Sequence, residues 1–180
     1  MSQGRDYQAR CEANVKCVTQ GATGTALNMM RPTHWARRPV PMIKGSCLCG
    51  GVKFEIDEAR SLIYCHCQNC RKLSGAHVAS YVHVDADKFR YLAGEELIQR
   101  FESAPGSFRN FCRVCSSTVP GKAAYLATIS IPAGLFDDDP GVRPKLHVFV
   151  RSKMPWVEIN DGLPQYDTWV PGFEPKKSPA

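Results

Sequence analysis

Cys65-His66-Cys67-Gln68-Asn69-Cys70 is the most informative stretch of the chain, because it brings three cysteines within six residues. Two shorter groups lie on either side of it, Cys47-Leu48-Cys49 and Cys112-Arg113-Val114-Cys115. Spacings of one or two residues allow neighbouring sulfurs to converge on one ion at about 2.3 Å. The same spacings suit disulfides poorly, because cysteines so close in sequence seldom bridge each other without strain. These seven cysteines are therefore predicted to bind metal.

The seven cysteines divide into four plus three. A closed structural zinc site needs four protein ligands, and the remote pairs Cys47/Cys49 and Cys112/Cys115 would supply them. The three thiolates of the 65–70 stretch leave a fourth position open for water or substrate, which is typical of a reactive zinc. We therefore expect two zinc ions per chain, one structural and one catalytic.

Other interpretations of these cysteines stay open at this point. His66 could be a fourth ligand of the triplet, which would make both sites structural. Thiolate ligands alone do not distinguish zinc from copper(I) or an iron–sulfur cluster. A redox role for the Cys112/Cys115 pair is weaker, because the βαβ context of a thioredoxin-like motif is absent. Cys11 and Cys17 are predicted to be bystanders.

The apolar pattern from residue 45 onward has a period of two, which predicts strands. Val52-Lys53-Phe54-Glu55-Ile56 alternates apolar and polar residues in this way. The predicted strands are 52–56, 77–84, 88–91, 97–101, 108–111, 124–131 and 146–150. The helical candidates are short, 71–75 and a turn around 132–136. We therefore expect a mainly β architecture whose sheets close or fold over to cover their edges.

The distribution of charge bears on the class of partner. The net charge is +6, of which residues 1–43 carry +4 and residues 171–180 carry +1. The folded body is thus nearly neutral, and we expect it not to bind nucleic acid. No run approaches the roughly 20 apolar residues of a membrane-spanning helix, so no membrane partner is expected.

The chain is predicted to contain one domain with flanking segments. Its 180 residues suit one domain with a real core. Residues 1–42 lack apolar periodicity and are predicted to be a poorly ordered basic extension, residues 43–170 the zinc-binding domain, and residues 171–180 a tail. No secretory signal is recognisable, so we expect a cytoplasmic protein, with a mitochondrial leader as the other interpretation of the N-terminal arginines.

Several stretches together resemble a known family. Gly45-Ser46-Cys47-Leu48-Cys49-Gly50-Gly51-Val52-Lys53-Phe54, Cys65-His66-Cys67-Gln68-Asn69-Cys70-Arg71-Lys72 and Phe111-Cys112-Arg113-Val114-Cys115 are similar to the glutathione-dependent formaldehyde-activating enzyme family. That family also contains centromere protein V. The resemblance spans roughly residues 43–168 and includes segments 144–147, 152–156 and 161–166.

The resemblance implies a fold, a metal content and a reaction. The fold would be a tent of small antiparallel β-sheets with two zinc ions. The structural zinc would be bound by Cys47, Cys49, Cys112 and Cys115, and the catalytic zinc by Cys65, Cys67 and Cys70. The implied reaction is of the carbon–sulfur lyase type, in which glutathione as co-substrate combines with formaldehyde to give S-hydroxymethylglutathione, and the reverse.

One position departs from the family pattern. Ser116 follows the last cysteine where the family usually has glycine. Glycine would allow a positive φ there, which serine tolerates less readily. We expect the metal turn to adjust.

Four further residues are candidates for roles around the triplet. Arg71 and Lys72 could bind the carboxylates of glutathione, although a solvated helix face would have the same sequence. His77, at the start of the second predicted strand, could move protons, although a structural role is more common for such a histidine. Trp156 is predicted to belong to the core or to a pocket wall.

The leading functional hypothesis is a zinc-dependent enzyme that acts on a small-molecule thiol–aldehyde adduct at the three-cysteine site. The alternative is a non-catalytic, zinc-stabilised binding module that engages acidic partners through its basic extension. A metal-storage or redox-sensing protein is a third interpretation.

Overall fold

The computed structural model describes residues 42–104, 106–122 and 126–173. The predicted extension, apart from Met42, lies outside these residues, as do Cys11, Cys17 and residues 174–180 of the predicted tail. Within the described ranges the chain forms one α-helix and ten strands, joined by short turns and 3-10 helices. The strands and the helix are β1 (Ile43–Ser46), β2 (Lys53–Ile56), β3 (Ser61–Cys65), α1 (Gln68–Ser74), β4 (Ala79–Asp85), β5 (Phe89–Ala93), β6 (Ile98–Ala104), β7 (Ser107–Cys112), β8 (Thr128–Pro132), β9 (Pro144–Val148) and β10 (Gln165–Tyr166).

The mainly β class predicted from the sequence is confirmed. The strands form a three-stranded sheet in the order β1-β2-β5, a five-stranded sheet in the order β10-β9-β3-β4-β8, and the separate hairpin β6-β7. All seven predicted strands are present with shifted ends within the described ranges, and residues 124 and 125 of the predicted 124–131 strand lie outside those ranges. Strands β1, β3 and β10 were not predicted. The predicted turn around 132–136 is a short 3-10 helix, Ala133–Leu135.

The five-stranded sheet is mixed, and not purely antiparallel as the family resemblance implied. β9 pairs parallel with both β3 and β10, whereas β3-β4 and β4-β8 are antiparallel. The connection over residues 133–143 carries the chain from β8 across to the far side of β3, so β9 enters in the direction of β3. Period-two patterning reports which residues share a face but not the direction of the neighbouring strand.

The main core lies between the three-stranded and the five-stranded sheet. The alternate residues Phe54 and Ile56 of β2 are buried there, as the alternation predicted. They meet Val82 and Val84 of β4 and Ile131 of β8, each of which is fully buried. Each such side chain contributes about 1.5–3 kcal/mol by leaving water. The core therefore clamps the two sheets together and leaves the other face of the five-stranded sheet available for a site.

Helix α1 begins earlier than the predicted 71–75. Cys67 is its N-cap, and the Cys67 Sγ accepts a hydrogen bond from the backbone N–H of Cys70. At the other end, Gly75 adopts φ 68° and donates its N–H to the carbonyl of Arg71 at 2.9 Å. A cysteine was not recognised as a cap because Ser, Thr, Asp and Asn are the usual ones. In the described ranges, none of the helices combines the length and the apolar character that crossing a membrane requires.

Candidate metal centres

The four-cysteine cluster joins two turns that are remote in sequence. Cys47 and Cys49 lie in the turn between β1 and β2, and Cys112 and Cys115 lie at the end of β7 and in the turn after it. Each turn is closed by a 2.8 Å backbone hydrogen bond to the carbonyl of its first cysteine. The four sulfurs all lie within 4.8 Å of one another. The structure thus brings together the four residues that the sequence grouped.

The spacing of these sulfurs fits a bound ion. An ion held tetrahedrally at about 2.3 Å from each sulfur keeps the sulfurs about 3.8 Å apart. The Cys47 and Cys49 sulfurs are 3.5 Å apart, and those of Cys49 and Cys112 are 3.9 Å apart. The backbone N–H of Val52 also donates a hydrogen bond to the Cys47 sulfur at 3.2 Å.

The acidities of the thiols point to a cation as well. Hydrogen bonds from Ser117 lower the pKa of Cys115 to about 5. Cys49 accepts a favourable hydrogen bond from Gly51, yet the neighbouring thiols of Cys47 and Cys115 raise its pKa to about 12. One thiol of the cluster therefore ionises readily while the next resists. A positive ion between the sulfurs would favour the thiolate form of both, so the cluster could hold a metal ion.

The turn that contains Ser116 keeps the backbone conformation that glycine would favour. Its φ is 60°, in the left-handed region that favours glycine. The expectation of an adjusted turn is therefore wrong. The turn keeps its shape because the Ser116 N–H bonds to the Cys112 carbonyl and the Ser117 N–H and hydroxyl face Cys115, which together fix the backbone.

The three-cysteine cluster is built by one strand end and one helix start. Cys65 is the last residue of β3, Cys67 is the N-cap of α1, and Cys70 lies in the first turn of α1. Their sulfurs also lie within 4.8 Å of one another. Hydrogen bonds from Cys65 and Cys70 hold the pKa of Cys67 far below its usual value, whereas hydrogen bonds to Cys67 and Cys70 raise that of Cys65. This cluster too could hold a metal ion.

The two clusters differ in their surroundings. The three-cysteine cluster lies in the wall of a cavity of about 1050 Å³, and the four-cysteine cluster does not. The floor of this cavity is the face of the five-stranded sheet that points away from the core. Residues of β7 and the aromatic side chains Phe149, Trp169 and Phe173 form further walls. Of the two clusters, only the three thiols can meet a molecule that enters this cavity.

Two cavity residues escaped the sequence analysis. Arg109 of β7 lines the cavity, and its charge helps to lower the pKa of Cys67. Tyr81 of β4 directs its hydroxyl toward Cys70, and burial raises the pKa of this hydroxyl well above its usual value. Neither residue lies in a cysteine motif, and strand pairing brings them to the site. The one available signal was the position of Tyr81 on the face of its strand opposite to the core residues Val82 and Val84.

The candidate carboxylate-binding residues lie on the helix outside the cavity wall. The Arg71 guanidinium donates to the carbonyls of His66 and Ser152, each at 3.2 Å, and to the Met154 sulfur. Lys72 is exposed, and neither Arg71 nor Lys72 lines the cavity.

Three other sequence-based expectations changed. His66 does not join the three thiols among the described residues, and the Nε2 atom of its ring lies 2.9 Å from Nδ1 of His147. His77 is exposed and precedes β4, so its placement on a strand was wrong. Trp156 is 69% exposed and not part of the core, because its neighbour Val157 occupies the buried position of that turn.

A mainly β domain with two cysteine clusters able to hold metal ions defines the class of the protein. Residues 42–152 match the model of the glutathione-dependent formaldehyde-activating enzyme family, and the chain belongs to that family. A Halomonas elongata protein named "Putative glutathione-dependent formaldehyde-activating enzyme" is 29% identical over 129 residues, which cover 66% of this chain and 81% of that protein. A crystal structure of a Rhodobacter sphaeroides protein superposes with a TM-score of 0.47 at 20% identity, covering 56% of this chain and 97% of that one.

Proposed function

We propose that the protein is a zinc-dependent carbon–sulfur lyase that forms and cleaves S-hydroxymethylglutathione or a closely related thiol–aldehyde adduct. The observation that carries this proposal is the three-cysteine cluster in the cavity wall. No fourth Cys, His, Asp or Glu of the described residues joins these three ligands. A tetrahedral ion held by them keeps one position for a substrate.

The reaction requires one bond change and one proton transfer. The thiol sulfur adds to the aldehyde carbon, so that a carbon–sulfur bond forms and the carbonyl π pair moves to the oxygen. That oxygen takes the proton that the thiol has lost, and the reverse reaction breaks the same carbon–sulfur bond. Zinc held by Cys65, Cys67 and Cys70 would supply a positive charge that stabilises a thiolate or polarises a carbonyl oxygen.

The other cavity residues support this chemistry. Arg109 brings a positive charge next to Cys67, which favours the entry of a thiolate, or of a carboxylate on the molecule that bears the thiol. The Tyr81 hydroxyl stays protonated beside Cys70 and can donate a hydrogen bond to oxygen within the cavity. The apolar side chains of Val148 and Trp169 give the same cavity an apolar wall. Lys72, next to the cluster in sequence, stays a candidate for the carboxylates of a longer thiol.

Metal content and exchange kinetics test the proposal together. The purified chain is expected to hold two zinc ions, and mild chelation should remove one of them more slowly when glutathione is present. Nuclear magnetic resonance exchange spectroscopy should show faster interconversion of glutathione and S-hydroxymethylglutathione with the protein than without it. Cys67→Ala should abolish both the removable zinc and the acceleration.

Cys17→Ala is the matched control, since this cysteine lies in the predicted extension and should leave metal and rate unchanged. One tightly held zinc per chain, or a rate equal to that of the uncatalysed reaction with both zinc ions present, would overturn the proposal. A module that only binds partners would keep its function in Cys67→Ala.

A further inference from the structure

Three side chains form a hydrogen-bonded chain behind the three-cysteine cluster. The Nε2 atom of His66 lies 2.9 Å from Nδ1 of His147, and Nε2 of His147 lies 2.9 Å from Oδ2 of Asp161. His66 and His147 are 1% and 5% exposed, whereas the side chain of Asp161 is 41% exposed. The chain therefore runs from the interior of the protein to its surface.

His66 is held from three sides. Its backbone N–H donates to the Val148 carbonyl at 3.0 Å, its carbonyl accepts from Arg71, and its ring pairs with His147. Because His66 lies between Cys65 and Cys67, these bonds fix the backbone segment that presents two of the three thiols. Partners of this kind, one step removed from a metal, orient its ligands and tune its affinity.

The Asp161 carboxylate determines which atom is the donor in each of these two hydrogen bonds. The hydrogen bond from His147 is the main cause that keeps the pKa of Asp161 low, so this carboxylate is an acceptor only. Nε2 of His147 must then be the donor to it. In the arrangement with one proton on each ring, Nδ1 of His147 accepts from Nε2 of His66. The remaining ring nitrogen of His66, Nδ1, is left as a buried lone pair with no hydrogen-bond partner among the described residues.

We propose that Asp161 is a positioning residue of the three-cysteine cluster, which through His147 places the ring proton of His66 on Nε2 and locks the segment between Cys65 and Cys67. This inference rests on the proposed function in one respect, since it takes the cluster to bind metal. Asp161 touches neither the thiols nor the cavity and acts only through the two histidines.

Asp161→Asn reverses the donor and the acceptor of each hydrogen bond between His66, His147 and residue 161, while the shape of the side chain at 161 stays the same. Oδ1 of Asp161 accepts from the Leu163 N–H at 3.1 Å, and the oxygen of asparagine keeps that bond. The amide NH₂ then faces Nε2 of His147, which has to accept. His147 becomes protonated on Nδ1, and His66 on Nδ1 as well, where a buried N–H has no acceptor. Because a buried N–H without an acceptor is costly, the ring of His66 moves to a position where this N–H is paired, and the thiols beside it move too.

Asp139→Asn is the matched control. The Asp139 carboxylate also accepts from a backbone N–H two residues ahead, that of Gly141 at 2.9 Å, and from a side chain, Arg143 at 2.7 Å. The same charge is removed from a similar turn, without any histidine attached. Neither metal cluster should respond to this variant.

The experiment has two readouts on the full chain. Nitrogen-15 spectra of the imidazoles should show the His66 proton on Nε2 in the wild type and on Nδ1 in Asp161→Asn. Cadmium-113 spectra, in which four-sulfur and three-sulfur sites give separate resonances, allow a chelator titration of each cluster. Asp161→Asn should weaken cadmium binding at the three-cysteine cluster about ten-fold and leave the four-cysteine cluster unchanged.

Two results would overturn the inference. The first is a wild-type His66 proton on Nδ1. The second is an unchanged affinity of the three-cysteine cluster in Asp161→Asn, which is what a role limited to capping the Leu163 turn predicts, since asparagine caps that turn equally well. Absence of cadmium from the wild-type three-cysteine cluster is a separate outcome that overturns the proposed function itself.

Discussion

Ser116 and Gly50 occupy equivalent places in the two turns of the four-cysteine cluster. Ser116 directly follows Cys115 and has a φ of 60°, and Gly50 directly follows Cys49 and has a φ of 71°. Gly50 adopts this conformation freely, whereas Ser116 brings its Cβ close to the following carbonyl. Strain is therefore present in one turn and absent from the other.

Ser116→Gly should stabilise the metal-loaded protein by about 0.5–1 kcal/mol, because the left-handed conformation no longer strains a side chain. Urea denaturation of the two proteins measures the difference. Gly50→Ala is the opposite change, and it should destabilise by a similar amount through backbone strain alone, since a Cβ there would meet nothing within 4 Å. A destabilised Ser116→Gly protein would show that the serine is favourable in its turn.

The sequence was sufficient to group the seven cysteines into two clusters and insufficient to predict their surroundings. Sulfur spacing is a local property, so the groups that end at Cys70 and Cys115 could be recognised without a fold. Arg109 and Tyr81 reach the cavity only through strand pairing, which the sequence does not state. Trp156 was placed inside because tryptophan is usually well buried, but the choice between adjacent side chains in an irregular turn depends on tertiary contacts.

At the scale of elements, β3 was missed for a physical reason. Ser61-Leu62-Ile63-Tyr64-Cys65 lacks the alternation of the other strands because both of its faces are covered. Leu62 packs in the core between the sheets, while Ile63 and Cys65 line the cavity. Central strands covered on both sides carry continuous apolar runs, which periodicity does not distinguish from a buried helix segment.

The β6-β7 hairpin makes an electrostatic contribution that can be tested. Arg109 of β7 faces the cavity, whereas Arg100 of the neighbouring β6 is exposed and does not line it. If Arg109 binds a charged group of the thiol substrate, Arg109→Gln should raise KM for glutathione about ten-fold or more with a smaller change in kcat. Steady-state kinetics of Arg109→Gln and of the control Arg100→Gln decide this. Equal effects of the two variants would indicate that only the overall charge of the hairpin matters.

At the scale of the molecule, loss of the four-cysteine cluster and loss of the three-cysteine cluster should have different effects on the stability of the fold. The four-cysteine cluster connects the turn after β1 with the turn after β7, whose cysteines Cys49 and Cys112 are 63 residues apart in sequence. The three-cysteine cluster connects residues that are already neighbours. A metal ion bound at the four-cysteine cluster would therefore constrain the whole fold, and one bound at the three-cysteine cluster only its own segment.

Cys112→Ser should lower the thermal unfolding midpoint by about 10 °C or more, because a metal-binding free energy of several kcal/mol is lost from folding. Cys70→Ser should lower it far less, although both cysteines are buried. Calorimetry of the two variants, with zinc content measured on the same samples, checks this order. Equal losses would mean that both clusters support the fold to the same extent.

The contrast in sequence span also has a consequence for biosynthesis. A ribosome releases the chain from its N-terminus, so the three-cysteine set is complete as soon as residue 70 has emerged. The four-cysteine set has to wait for Cys115 and for the pairing of strands that brings its halves together. A nascent chain that has released residue 70 therefore offers a complete three-cysteine set and only half of the four-cysteine set.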